Sequence, residues 1–152
     1  MNEPLSRLVE EAGARHNRLV LVVSQDRAGR NQIIDELAAG QGSGVFNVGL
    51  EFARILAGAN KRQRQLQAAT ILRDITTTNR GEKPLVLNNL EILFDRALRL
   101  DPLDLLRRLS HGQTVVAAWP GALRDGRLVY AAAGHPEHQD YPTDGLILFH
   151  PN

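Results

Sequence analysis

The sequence runs to 152 residues, with 18 Lys and Arg against 17 Asp and Glu and a formal net charge of +1. That length fits one domain, residues 1–152, able to bury a core without staples, and the near-neutral balance argues against a dedicated, strongly basic nucleic-acid-binding domain. Cysteine is absent, which excludes disulfides, thiolate metal sites and a cysteine nucleophile.

Apolar residues at 43% and charged residues at 23% are ordinary for a folded cytosolic protein. The opening Met1-Asn2-Glu3-Pro4 lacks the basic-then-apolar order of a secretory signal. The clean apolar runs Leu19–Val23 and Val115–Trp119 are far shorter than the roughly 20 residues of a membrane span. A cytoplasmic protein without a membrane partner is expected.

Leu5, Leu8, Val9 and Ala12 recur at i, i+3, i+4 and i+7 and predict an opening amphipathic helix that ends near Gly13. Leu19–Val23 is short, apolar and β-branched, the pattern of a strand buried on both faces of a parallel sheet. A polar loop is expected from Ser24 to Gly29, then a helix marked by Ile33, Ile34, Leu37 and Ala38. Gly40-Gln-Gly-Ser-Gly44 reads as a flexible connection and Val45–Val48 as a second strand. Leu50, Ala53 and Ala57 mark one further helix; Leu66, Ala69, Leu72 and Arg73 mark another that begins near Asn60. Gly81 and Pro84 interrupt the helical pattern, and Leu85–Leu87 is a third buried strand. Glu91–Leu98 reads as a short helix. Asp101-Pro102 reads as an N-cap followed by proline at the first helical position, with Leu103, Leu106 and Leu109 facing inward. Thr114–Ala118, Leu128–Ala132 and an edge segment Leu146–Phe149 complete the strands. Alternating strands and helices predict an α/β fold, a single three-layer domain with a mostly parallel sheet.

The stretch after the first strand carries the main functional expectation. A P-loop has the form G-x-x-x-x-G-K-[ST] between strand and helix, with backbone N–H groups wrapped around phosphates, lysine on the terminal phosphates and a hydroxyl on magnesium. Here the stretch is Ser24-Gln25-Asp26-Arg27-Ala28-Gly29-Arg30-Asn31. The setting and the second glycine agree; Ser24, Arg30 and Asn31 replace the first glycine, the lysine and the hydroxyl. A planar guanidinium does not reproduce a compact ammonium, and an amide oxygen is a poorer magnesium partner in this geometry. Asp26 adds a repelling charge unless Arg27 neutralises it. The helix N-terminus still favours an anion, so these eight residues are candidates for holding the phosphate of ATP or another nucleotide, while the altered groups weigh against magnesium. An ordinary βα loop is the competing reading.

An NTPase commonly ends another buried strand in a magnesium-holding aspartate. That position falls on Asn88-Asn89, which lack the charge a divalent cation requires. Glu91 is the one candidate for a catalytic base, in competition with a first-turn helix role. Both loops occupy the right places and both lack the groups for Mg·ATP chemistry.

The second half, with Leu85-Val-Leu-Asn-Asn-Leu-Glu-Ile-Leu-Phe-Asp95, Leu100-Asp-Pro-Leu103, Val115-Val-Ala-Ala-Trp-Pro-Gly121, Leu128-Val-Tyr-Ala131 and Gly134-His-Pro-Glu137 in order, resembles BrxF, the family of small P-loop proteins of type 3 BREX bacteriophage-defence systems. The resemblance covers nearly the whole chain. It implies a P-loop NTPase-like fold and a place in an assembly with other BREX proteins, among them a large ATPase, a DNA methyltransferase and an alkaline-phosphatase-like protein. The family pattern has glycine, lysine and Ser/Thr where this chain has Ser24, Arg30 and Asn31, aspartate at Asn88 and tyrosine at His138. The resemblance therefore implies a non-hydrolysing or weakly nucleotide-binding accessory component. Two alternatives stand beside it: an active ATPase using Arg30 and Glu91, completed through self-association, or a DNA-binding module. A chain this short has no room for the helical lid of ring ATPases.

His135-Pro-Glu-His138 with nearby Asp140 lacks a full ligand set, and no metal site is expected. Trp119 would either cover a ligand or seal the core edge. Lys61, Arg62 and Arg64, with Arg54, Arg73 and Arg80, form a basic helical region and the nucleic-acid candidate; Arg96, Arg99, Arg107 and Arg108 form a second basic group. Aromatics interleaved with these cations, which would stack bases, are missing.

Overall fold

The computed structural model describes residues 3–14, 18–78 and 83–150; Met1, Asn2, Arg80 and Gly81 lie outside the described residues. Helix α1 (Glu3–Gly13) leads to strand β1 (Leu19–Val23), α2 (Arg27–Gln41) and β2 (Val45–Asn47). Helices α3 (Val48–Leu56) and α4 (Lys61–Thr78) precede β3 (Leu85–Asn88). Two 3-10 turns, Leu90–Phe94 and Arg96–Leu98, then lead into α5 (Pro102–Leu109) and β4 (Val115–Trp119).

β1, β2, β3 and β4 join a last strand, β8 (Ile147–Phe149), in a parallel sheet of order β2-β3-β4-β1-β8. The pleat divides the core. Val20, Val22, Val86, Val116 and Ala118 pack with Leu5, Val9, Ile34 and Leu37 of α1 and α2. The alternate residues Leu19, Leu21, Leu87, Val115 and Ala117 pack with Phe52, Ile71, Leu93 and Leu106 on the other face. This arrangement follows from handedness. The β1–α2–β2 crossover runs one way along the sheet and the next two crossovers run back, so right-handed connections place their helices on opposite faces. Burial on both faces is why these strands read as unbroken apolar runs.

Local chemistry sets the helix ends. Asp101 accepts from the Asp104 amide at 3.2 Å, with Pro102 in the first turn, as expected. Asn60 and Gln63 cap α4 reciprocally, each side chain accepting from the other's amide at 2.9 and 3.0 Å.

The structure corrects several expectations. Helix α2 begins at Arg27, so the polar loop is Ser24–Asp26 alone, and it ends in left-handed Gly42 at φ 69°, which shortens the Gly40–Gly44 connection. Val48 opens α3 instead of closing a strand. The single helix expected over Glu91–Leu98 is two 3-10 turns. The residues that mark α3 are not the ones it buries: Val48, Phe52 and Leu56 face the core, while Leu50, Ala53 and Ala57 are exposed; on α4 the marker Leu72 is buried with Ala68 and Ile71, whereas the marker Leu66 is exposed. Finally, the strand expected at Leu128–Ala132 does not join the main sheet. It is β6 (Arg127–Tyr130), paired antiparallel between β5 (Ala122–Arg124) and β7 (Gln139–Pro142). Asp125 and Gly126, both at positive φ, form the tight turn between β5 and β6.

Trp119 fastens this small sheet to the large one. It is fully buried, and its indole N–H donates to the Val129 carbonyl at 3.0 Å. Phe94 meets it edge-on at 5.3 Å and stacks on Tyr130 at 3.8 Å; Tyr141 meets it edge-on at 5.9 Å. The Tyr141 hydroxyl donates to Asp101, and burial together with that carboxylate pushes its pKa upward. Trp119 therefore seals a core edge. Among the described residues no helix is long and apolar enough to cross a membrane.

Candidate functional site

All strands of the large sheet point one way, so the residues that follow β1, β2, β3 and β4 gather at its carboxyl edge, where α/β sheets of this kind bind ligands. The structure brings the two sequence-predicted loops together there. Arg27 on the first turn of α2 donates to the Asn89 side-chain oxygen at 3.3 Å. Asn89 stands in left-handed backbone at φ 54°, a conformation asparagine tolerates. Its carbonyl would lie 3.2 Å from a Cβ at Gly49, so the start of α3 also closes on this point.

Ser24 is buried, and its hydroxyl accepts from the Asp26 amide at 3.2 Å. Gln25, Asp26, Arg27 and Ala28 are exposed. Asp26 is the N-cap of α2, its carbonyl accepting from the Arg30 amide at 2.8 Å. Its carboxylate lies against Gly29: a Cβ there would stand 2.6 Å from the Asp26 oxygen. A negative side chain thus occupies the amino end of α2, where the helix dipole stabilises it. The phosphate-wrapping loop expected over Ser24–Asn31 is three residues long, and Arg27, Ala28, Gly29, Arg30 and Asn31 are already helical. A P-loop needs a run of non-helical N–H groups around its anion; here the helical bonds begin at once, with the Arg30 amide donating to the Asp26 carbonyl.

Arg30 turns inward. It is 3% exposed, and one terminal guanidinium nitrogen donates to the Ser24 carbonyl at 2.8 Å. Its Nε has no partner, nor do the side-chain oxygens of Asn31 and Asn88 or Oε1 of Glu91. Burial pulls the Arg30 pKa below its ordinary value, Glu91 opposes that shift, Arg27 adds to it and Asp26 opposes it. Among the described residues no carboxylate reaches within 4.0 Å of this guanidinium, so Glu91 acts across a gap. Asn88 ends β3, and Glu91 lies in the first turn of the 3-10 segment that follows.

The nucleic-acid candidates lie elsewhere. Lys61, Arg62 and Arg64 are exposed on the first turn of α4. Arg54 pairs with Glu51 and Arg108 with Asp104, which thins both basic groups. Arg73 is exposed on α4. His135 accepts from the Glu137 amide at 3.0 Å, His138 lies 3.1 Å from the Ala131 carbonyl, and Asp140 pairs with Arg127, so the three do not converge. Among the described residues no group of three or more His, Asp or Glu is placed to hold a metal.

The sequence reading misses two features. Asp26 stands at the N-cap position of α2, a place signalled by an acidic residue immediately before a helical run. Asp125-Gly126 is the two-residue hairpin signal that announces the second sheet. Comparisons of the chain with protein-family models, with curated proteins and with solved structures return no match.

Proposed function

We propose that this chain is a P-loop-like α/β domain that does not hydrolyse ATP and serves as an accessory component of a protein assembly. The carrying observation is the state of Arg30 and Asp26. The residue at the lysine position is buried on the Ser24 carbonyl, and a carboxylate lies at the helix end where phosphate would sit. A triphosphate would have to displace Asp26 against Coulomb repulsion and draw out a guanidinium that is already hydrogen-bonded. The P-loop relationship itself is supported by the meeting of the β1 and β3 loops at one sheet edge through Arg27 and Asn89. Nucleotide contact, where it occurs, is weak and made by the exposed amino end of α2.

The setting we propose, a BREX-type phage-defence system with other BREX proteins as partners, rests on the sequence resemblance. The rival ATPase would need Glu91, which lies in the first turn of a 3-10 segment with Oε1 buried, to act as the base.

An ATP hydrolysis assay on the purified chain with magnesium tests the reading. The expected turnover is indistinguishable from buffer and unaltered by Arg30→Ala. Turnover that Arg30→Ala abolishes defeats it.

A further inference from the structure

Strands β1, β4 and β8 end side by side: Val23 pairs with Trp119, and Val22 with Phe149. The segments that follow them leave the sheet together, at the edge where α/β sheets take ligands. The Arg27–Asn89 contact lies on the other flank of the β1 loop, toward β3. On this flank the β1 loop faces the small sheet across two adjoining cavities of about 270 and 220 Å³. Gln25, Ala122 and Arg124 line both.

The larger cavity carries opposite charges. Asp26, Arg124 and His150 line it together with Ser24. No carboxylate lies within 4.0 Å of Arg124 among the described residues, and its guanidinium makes no hydrogen bond to them. Ser24 is 4% exposed; its hydroxyl oxygen accepts from the Asp26 amide, while its proton goes to no acceptor among the described residues. A guanidinium, a carboxylate and a buried hydroxyl thus border one space without satisfying one another. A few convergent polar groups in a concavity are the mark of a ligand site. The smaller cavity differs: its walls include Pro120, Gly121, Ala122, Val129, Ala131 and Ala132, small side chains that leave room for an aliphatic group.

Charge selects the ligand. A plain anion would meet Arg124 but face Asp26, and a plain cation would meet Asp26 but face Arg124. A zwitterion suits both, its carboxylate taking the guanidinium fork and the Ser24 hydroxyl, its ammonium taking Asp26. We propose that this cleft binds a free α-amino acid with an aliphatic side chain, the charged end in the larger cavity and the side chain in the smaller. The inference goes beyond the accessory role and does not depend on it; ATP turnover and amino-acid binding are separate readouts.

The probe is L-leucine, titrated into the full chain by isothermal titration calorimetry. The expected result is saturable binding with Kd on the order of 0.1–1 mM. Arg124→Gln and, separately, Asp26→Asn should each weaken it about tenfold or more. Asparagine is accepted at an N-cap and Arg124 is exposed, so circular dichroism should stay parental. Ala132→Phe, also at an exposed position, should weaken leucine more than alanine, because it fills the side-chain end alone. Leucinamide, which lacks the carboxylate, and 4-methylpentanoate, which lacks the ammonium, should each bind about tenfold or more weakly than leucine. Four results overturn the proposal: no saturable binding at about 10 mM leucine, equal binding of either singly charged analogue, an unaffected Arg124→Gln variant, or inorganic phosphate that competes with leucine for the cleft.

Discussion

Gly121→Ala is expected to destabilise the fold by on the order of 3–5 kcal/mol. A Cβ at this position would lie 1.8 Å from the Val129 carbonyl oxygen and 2.9 Å from the Trp119 indole nitrogen. Neither atom can give way cheaply. The first belongs to the backbone of β6, and the second donates the hydrogen bond that joins the two sheets. Any shift that admits the methyl group strains or breaks that part-buried bond. Trp119 is the single tryptophan, so urea unfolding followed by its fluorescence reads the affected site. Gly112→Ala, where a Cβ meets nothing within 4 Å, should change stability by less than about 0.5 kcal/mol. Equal effects of the two substitutions would contradict the packing described for Gly121.

Arg30→Glu carries the second large effect, a loss on the order of 4 kcal/mol at pH 7. It replaces a buried cation with a buried anion that faces Glu91 and the Ser24 carbonyl. Like charges in a shared site raise the folded-state pKa of a carboxylate above its unfolded value near 4.3. The penalty is therefore present above that unfolded value, grows with pH and shrinks as pH falls toward about 4.5. The deficit relative to the parent chain, measured from urea midpoints at pH 7 and about 5, should narrow at the lower pH. Near-parental stability of Arg30→Glu at pH 7 would place this side chain in solvent, available to a ligand, and would contradict its inward placement.

Several elements were open to sequence reading for identifiable reasons. Leu19–Val23 and Leu85–Leu87 announce themselves because burial on both faces selects unbroken apolar, β-branched runs. Asp101-Pro102 declares a helix start because capping is local chemistry. Helix α3 shows where local reading stops. Val48, Phe52 and Leu56 form one helical stripe, and Leu50, Ala53 and Ala57 another. Periodicity supports both, and only contact with β3 and the 3-10 turns decides which is buried. The second sheet was half legible: Asp125-Gly126 is a strong turn signal, whereas Gln139-Asp-Tyr-Pro142 has no strand-like alternation of apolar residues.

The site divides in the same way. Its position after β1 and β3 follows from topology. Its internal state does not, because the role of Asp26 depends on where α2 begins and the direction of Arg30 depends on how that helix is rotated against β1. Asp26, taken from sequence as an obstacle to phosphate, occupies the N-cap position of α2 with its carboxylate against Gly29. The same charge would repel an incoming phosphate, and the proposal of poor Mg·ATP binding rests on that arrangement.

Crystals of the chain grown or soaked with Mg·ATP address the central claim most directly. The account predicts that Arg30 stays on the Ser24 carbonyl, that the Asp26 carboxylate stays against Gly29, and that no magnesium is held between Asn31 and Asn88. A triphosphate enclosed by residues 24–31, with Arg30 swung out to meet it, would contradict the account.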